Sequence, residues 1–342
     1  MVTKIGLDLG YANITLSDVT AGVYREPSVA LMEKNTHKII AVGSSAETAQ
    51  MQDAILVRPF KNGLLYATEH TRDVIEKAIS AVMAEDGIRC VIGTPSDYIP
   101  KQDKIIFDIL FELGVKEAYS VKRSVAALIG AGYSPTMSAV SVNIGAAHTD
   151  IAVLHGGSVI YSSCEEIGGE DFDKAVKQYI FDQGDVTVSL SVARAIKERI
   201  GAVWEGRQSD SVEIEGTLSL TGNRVKLSVA TEDILGVFEL PLQKLLAAVA
   251  NAVKKIPLDF VSAIFSNGII LSGGGAELFG LDKMIEKVLG VPVTLAPDPI
   301  DCVAKGLSRI NAIIPDKNRS NFKNVTDKLA KFYETKKQKS KK

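Results

Sequence analysis

The sequence predicts an α/β protein made of two related α/β domains that face one another across a central cleft. Three observations carry this prediction. Near the start, GLDLGYANITL (6–16) alternates apolar and polar residues on both sides of a small-residue turn, the pattern of a β-hairpin with one carboxylate, Asp8, just before the turn. The plan returns at AVSVNIGAAHTDIAV (139–153), where Asn143, Ile144 and Gly145 correspond to Asp8, Leu9 and Gly10. The third is GIILSGGGA (268–276), an apolar run that ends in three glycines ahead of a helical pattern. A strand–turn–strand unit followed by alternating strands and helices, met twice, points to a duplicated α/β domain.

The elements follow in order. After the first hairpin, the alternating segments 28–32 and 37–42 read as a second hairpin around residues 33–36. A helical pattern over 71–85 follows, with His70 as a solvated residue at its entry. Residues 89–95 read as a buried strand. Ile105, Ile106, Ile109, Leu110 and Leu113 share one helical face over 101–113, which Gly114 ends. A short strand (118–121) and a small-residue helix (124–132) precede the second hairpin. Beyond it come helices over 168–181 and 190–200, and strands within 212–229 that turn at Gly216 and at Gly222. A long helical region over 231–255 has Pro241 as a start or kink. A strand at 291–295 and a closing helix at 300–313 complete the pattern.

Bulk composition sets outer limits. With 342 residues, 46% hydrophobic and 23% charged, the chain has the make-up of a soluble globular protein, long enough for two domains or for one large core divided by a cleft. The net charge of −2 conceals a segregation: residues 321–342 hold 8 lysines against Asp327 and Glu334, leaving 31 basic and 39 acidic residues elsewhere. A body that acidic excludes nucleic acid as its partner, and any anionic partner meets the tail. Cys90, Cys164 and Cys302 show no metal or disulfide spacing, which points to reduced thiols in a cytosol. No apolar run reaches membrane-span length, and MVTKIGLDLG (1–10) lacks a signal-peptide core, so a cytoplasmic location is expected.

The chain has neither GxxxxGK[ST] nor a GxGxxG after its first strand, so P-loop and dinucleotide-binding readings fall away. What remains is two glycine-bearing hairpins with a polar residue at one offset, and the triple glycine. In this order they resemble the actin superfamily, and within it the bacterial MreB branch, along the chain to about residue 315. GLDLGYAN resembles the first phosphate loop and VNIGAAHTDIAV the second. EIGGEDFD (166–173) and AIKERIG (195–201) resemble segments of the second domain. GIILSGGGAELFGLD (268–282) resembles the adenosine loop, and DPIDCVAKG (298–306) the segment after it. EPSV (26–29) and VRPFKNG (57–63) resemble MreB rather than eukaryotic actin.

The resemblance implies an actin-like fold: domain I over 1–140, with a small subdomain at about 31–71 and a closing helix at about 302–320, and domain II over 141–301, with a small subdomain at about 181–241. It implies ATP or ADP with Mg²⁺ in the cleft. Backbone amides at Gly10, Tyr11, Ala12 and Asn13 and at Gly145, Ala146, Ala147 and His148 would clasp the phosphates. Asp8 would hold the hydration shell of Mg²⁺, which keeps its waters and takes few carboxylates. Arg194, Lys197 and Glu198 would border the ribose and base, and Gly273, Gly274, Gly275, Ala276 and Glu277 would let the backbone approach the adenosine. Read without the resemblance, Lys197 and Glu198 form an exposed helical charge pair.

Several residues depart from the family pattern. Tyr11 stands where a small hydroxyl is expected and would turn outward as a lid. Asn143 replaces a second aspartate, and Ala146 and Ala147 replace glycines, which matters if φ is positive there. In KRSVAALIGAG (122–132), Arg123 falls where the family has an acidic or amide side chain that orients the attacking water. A guanidinium cannot accept a proton or a hydrogen bond. Either Arg123 pairs with the γ-phosphate, so that ATP is held but cut slowly, or it is a surface residue beside a shifted alignment.

In the tail, Phe322, Val325, Leu329 and Phe332 fall at spacings of one helical stripe flanked by lysines. Two readings stand: a basic amphipathic helix lying on an anionic membrane at the inner face of the cell, or a stripe packed back on the body. The function implied is a homopolymeric cytoskeletal filament in bacterial cell shape. A bacterial actin for organelle positioning or plasmid segregation is the alternative. A small-molecule kinase of the same superfold would need a catalytic carboxylate and a substrate pocket, and neither signature is present.

Overall fold

Two mixed sheets built on one plan organise the chain. In the first, strand Thr3–Leu9 pairs antiparallel with Asn13–Asp18, which pairs antiparallel with Gly22–Pro27. On its other side Thr3–Leu9 pairs parallel with Ile88–Thr94, and that strand with Val115–Lys122. The second sheet repeats the path. Ala139–Ile144, Thr149–His155 and Ser158–Glu165 form the meander, and Ile269–Ser272 and Val293–Leu295 add in parallel. Asp8 faces Thr15 across the first hairpin, and Asn143 faces Asp150 across the second. Two repeats thus present equivalent loops, the geometry the paired motifs predict. The computed structural model describes residues 2–18, 22–49, 51, 53–61, 64–65, 68–82, 87–97, 100–315 and 322–340.

Strands of both sheets are buried on both faces at their centres, so they read as nearly continuous apolar runs such as IRCVIGT and AVSVNI. One core fills the first half around Ile5, Leu7, Ile75 and Leu110, and another the second half around Val142, Phe172, Phe238 and Leu271. A third core joins the halves, with Val121, Leu128, Ala152, Ile270 and Leu307. It is built where helix Arg123–Gly130 packs on helix Cys302–Ile313.

Helix Leu190–Ile200 has the predicted bounds: the Ser189 side chain accepts from the Val192 amide, and the chain leaves the helix at Gly201. Pro241 sits in the first turn of helix Glu239–Val253, where a missing N–H costs nothing. Gly216 is a correction: it lies within strand Ser211–Leu218, opposite Val225. A Cβ there would overlap the Val186 side chain, so this glycine permits close strand approach and makes no turn. The hairpin turns instead near Gly222, whose φ is +72°. The helix predicted over 71–85 runs Thr68–Ile79, residue 85 lying outside the described residues, and His70 is half-buried within it. Strands Gly22–Pro27 and Ala54–Val57 have no counterpart in the sequence reading.

The tail follows the second of its two readings, though not as one helix. Residues Phe322–Asn324 form a strand parallel to Val115–Lys122, a 3₁₀ turn covers Thr326–Lys328, and the helix begins only at Leu329. Val325 and Leu329 are fully buried in the third core and Phe332 packs against it. The apolar stripe therefore closes on the body, and the continuous amphipathic helix does not exist. Among the described residues, no helix is long and apolar enough to cross a membrane.

Candidate nucleotide cleft

The two hairpin loops face one another across a cavity of about 510 Å³, within the range of small-ligand sites. The first loop brings Asp8, Gly10, Tyr11, Ala12 and Asn13 to it, and the second brings Asn143, Gly145, Ala146 and His148. Helix Leu190–Ile200 contributes Arg194, Lys197 and Glu198, and the triple-glycine loop contributes Gly273, Gly274, Gly275 and Glu277. Arg123 lines it from the start of its helix. Of the predicted residues, Ala147 and Ala276 do not line the cavity; Ala276, within the 3₁₀ turn Gly274–Glu277, is buried in the core.

Each loop is closed in the same way: Gly10 N–H donates to the Asn13 carbonyl at 3.0 Å, and Gly145 N–H to the His148 carbonyl at 2.9 Å. Those two amides are therefore committed, a correction to the expectation that all eight could meet an anion. The amides of Tyr11, Ala12, Ala146 and Ala147 have no hydrogen-bond partner among the described residues. Ala146 and Ala147 are not among the residues with positive φ, so alanine fits here without strain. The second loop's carbonyls are capped in turn: Gly169 N–H donates to Gly145 and Glu170 N–H to Ala146, fixing helix Gly169–Gly184 against it.

Tyr11 is half-buried and spans the cleft rather than turning outward. The Arg58 guanidinium lies 5.2 Å from its ring centroid and donates to the Tyr11 and Ala12 carbonyls. Burial, the charge of Glu170 and a hydrogen bond to Glu170 all raise the Tyr11 phenol above its ordinary pKa. Burial alone would raise Glu170 as well, but its bonds to Lys174 and Tyr11 hold that carboxyl low. One tyrosine thus ties the first loop to the helix behind the second.

Lys197 does not form with Glu198 the exposed charge pair that the sequence alone suggests. Lys197 and Arg194 both converge on the fully buried Asp173, with Lys197 Nζ at 2.6 Å and Arg194 Nε at 3.2 Å, and Lys197 also donates to the Gly169 carbonyl. Asp173 thereby sets two cations along one wall. Arg25, on the third strand, lines the cavity as well and pairs with Asp301.

Arg123 is not a surface residue: 2% of its side chain is exposed. Its Nε donates to Asp8 Oδ1 at 2.8 Å, its Nη2 donates to the Leu9 carbonyl at 2.6 Å, and its Nη1 lies 3.4 Å from His148 Nε2. Burial alone would depress the guanidinium, but the charges of Asp8 and Asp150 outweigh it and raise its pKa. Behind it, Asp150 is fully buried, accepts from the Ser96 amide at 2.7 Å and lies 3.2 Å from His148 Nε2. Burial would raise this carboxyl too, yet the His148 bond and the nearby charges keep it low.

A hydrated Mg²⁺ of the expected kind does not fit these residues. Asp8 already carries a cation at hydrogen-bond distance, and position 143 offers an amide whose Oδ1 accepts from Ser272 Oγ at 3.2 Å. His148, Asp150 and Cys164 hold ligand-type atoms within 4.8 Å of one another, but the Arg123 guanidinium adjoins that cluster as well.

Arg58, Asp150, Glu170 and Asp173 escaped the sequence reading. Asp150 had a signal, being the one acidic residue in a buried and mostly apolar strand, whereas Arg58 is positioned by contacts that no periodicity encodes.

The chain is similar to known proteins over most of its length. The family model described as MreB/Mbl protein matches residues 2–319. The cell shape-determining protein Mbl of Bacillus cereus is 30% identical over 312 residues, covering 88% of this chain and 93% of that one. The cell shape-determining protein MreB of Escherichia coli is 28% identical over 316 residues, covering 88% and 91%. Among solved structures, MreB 5 of Spiroplasma citri bound to AMPPNP superposes with a TM-score of 0.86 at 24% identity, covering 92% of this chain and 97% of the other. A MamK double helical filament gives 0.80 at 20% identity, covering 92% and 100%. The fold is therefore actin-like.

Proposed function

The chain belongs to the MreB/Mbl family, and from that premise we propose that it binds ATP or ADP in the cleft and polymerises into filaments that act in bacterial cell shape. The observation that carries the reading is the pair of equivalent loops, each with free amides, facing one cavity beside the triple-glycine turn. We divide the chain as its sequence suggests, with the cleft between residues 1–140 and 141–301 and the helix at 302–313 returning to the first part. The sequence relatives are named for cell shape, whereas the likeness to MamK carries the fold alone, so cell shape leads organelle positioning.

Self-assembly should not depend on hydrolysis. Large apolar side chains stand in water on the small sheet of the first half (Ile40, Ile55, Leu56) and in the second half (Leu240, Leu258), surface that assembly would cover. Sedimentation with ATP, with a non-hydrolysable analogue and without nucleotide should give polymer in both nucleotide conditions. A monomer in all three at high concentration would overturn the reading.

Hydrolysis should be slow, because Arg123 offers no lone pair to the attacking water and general-base assistance is worth about 10²–10⁴-fold. Arg123→Gln supplies an acceptor and should raise phosphate release in the presence of Mg²⁺ by about tenfold or more. Arg123→Glu is the poorer change, since it would bury a second carboxylate against Asp8. Rapid release by the unaltered protein would show that another residue handles the water.

Membrane affinity, where the tail supplies it, must be electrostatic, because Val325 and Leu329 are buried in the body. Lys331, Lys337 and Lys339 are exposed on helix Leu329–Ser340 and would each add about 1 kcal/mol near an anionic surface. Replacing all three by glutamine should weaken co-sedimentation with anionic liposomes by about tenfold or more at low salt. Binding insensitive to both the triple change and salt would dismiss the tail as an anchor.

A further inference from the structure

We propose that this cleft binds the nucleotide's phosphates without a divalent cation, with the Arg123 guanidinium as the fixed positive charge between the two loops. The inference rests on the nucleotide reading above and concerns how that site is neutralised.

Three arrangements carry it. First, Asp8, the carboxylate of the first loop, is bound through Oδ1 to Arg123 Nε at 2.8 Å. The guanidinium is locked in place by the Leu9 carbonyl and is 98% buried, so it cannot swing away as an exposed arginine could. A dication brought to Asp8 would meet an adjacent permanent charge, because arginine does not deprotonate in proteins.

Second, the other carboxylates beside the two hairpin loops are engaged, while Glu198 and Glu277 line the cavity from the helix Leu190–Ile200 and the triple-glycine loop. Position 143 is an amide. Asp150 does not line the cavity; its Oδ1 takes the Ser96 amide and its Oδ2 faces His148. Asp173 is bound by Arg194 and Lys197, and Glu170 by Lys174. Mg²⁺ is normally held by one or two carboxylates together with phosphate oxygens and waters, and this set has none to spare.

Third, what a metal would supply is present in another form. Arg123 lines the cavity between Asp8 of one loop and His148 of the other. Arginine suits this place because its planar fork can keep one N–H on the protein and turn another to phosphate oxygen. Unlike a hydrated ion, it need not be recruited from solution.

The test is a titration of the full chain with a fluorescent ATP analogue, once in millimolar Mg²⁺ and once in excess EDTA. Affinities within about threefold of one another are expected. An affinity at least tenfold higher with Mg²⁺ would overturn the inference while leaving the nucleotide site intact. Absence of binding in both conditions would overturn the nucleotide reading itself.

Two variants read the residues. Asp8→Asn keeps the guanidinium and should retain EDTA-resistant binding within a few-fold, whereas a metal-anchored site would lose its ligand. Arg123→Gln releases Asp8 and removes the fixed charge. Its affinity in EDTA should fall by about ten- to a hundredfold, the worth of one or two charge-assisted bonds, and should recover on adding Mg²⁺. Metal-free affinity unchanged in Arg123→Gln would overturn the assignment to this residue. Should that variant not fold, the Asp8→Asn comparison stands alone: loss of its binding in EDTA would refute the proposal.

Discussion

Gly274→Asp is expected to lower the affinity for a fluorescent ATP analogue by about a hundredfold, equivalent to about 2.7 kcal/mol, and to leave the melting temperature of the free protein nearly unchanged. The three consecutive glycines are not equivalent. Gly273 has φ of +83°, and a Cβ on it would overlap the Ile144 carbonyl oxygen. At Gly275 a Cβ would overlap the Ile144 side chain. At Gly274 the nearest atom to a new Cβ is Ile300 Cγ1, 3.8 Å away, which is ordinary contact. Gly274 therefore accepts a side chain without disturbing the fold, and it lines the cavity. An aspartate there takes space from the nucleotide and faces it with an unpaired charge, a cost of at least about 2 kcal/mol in a partly dry site. Titration of both proteins beside their thermal melts separates a blocked site from a damaged fold. Unchanged affinity would mean that this loop does not meet the nucleotide.

The contrast among these glycines shows what the sequence could and could not reveal. Three loops with glycine at fixed offsets were legible because a turn leaves a compositional mark where it stands. The sheet cores were legible for a similar reason, since runs such as AVSVNI and IRCVIGT declare buried strands without reference to partners. The Arg123–Asp8 bond joins residues 115 positions apart, and neither residue's local sequence hints at it. Position 123 looked anomalous only by resemblance, and only the structure shows the anomaly coupled to the first loop's carboxylate. Asp173 is similar: an acidic residue early in a helix suggests an exposed end, yet this one is buried between two cations from the next helix.

The tail's two readings could not be separated in the sequence for a different physical reason. Spacings of three and four mark one face of a helix, but Phe322 and Val325 satisfy them while lying on a strand and the turn after it. Short apolar spacings cannot separate the two when an open sheet edge is nearby to recruit the segment. Gly216 misled similarly, since a glycine inside a strand and a glycine in a turn look alike until a neighbour's side chain is seen to need the space.

Close approach also explains the second large effect. Gly306→Ala should destabilise the protein by about 3 kcal/mol, lowering the melting temperature by about 4 °C in a chain of this size. In an unconstrained helix the same change would stabilise by about 1 kcal/mol, so the expected sign is opposite to helix propensity. Gly306 lies in helix Cys302–Ile313 where that helix meets Arg123–Gly130, and a Cβ there would overlap the Ala126 carbonyl oxygen. Gly130 makes the reciprocal approach to the Cys302 carbonyl. On the strand below, a Cβ at Gly6 would lie 2.6 Å from Leu307 Cβ and 2.7 Å from the Ala304 carbonyl oxygen. Backbone meets backbone at these contacts, so no rotamer change relieves the overlap and the helices must separate. Their separation opens the core around Leu128, Leu307 and Ile310. It also displaces the first residue of the shorter helix, Arg123, from Asp8. Gly184→Ala is the matched control, because that helical glycine has no atom within 4 Å of a new Cβ and should be neutral or slightly stabilising. Chemical denaturation of the two variants beside the parent checks the pair. A Gly306→Ala protein as stable as the parent would show that the helices do not cross this closely, and would remove the support that holds the guanidinium against the first loop.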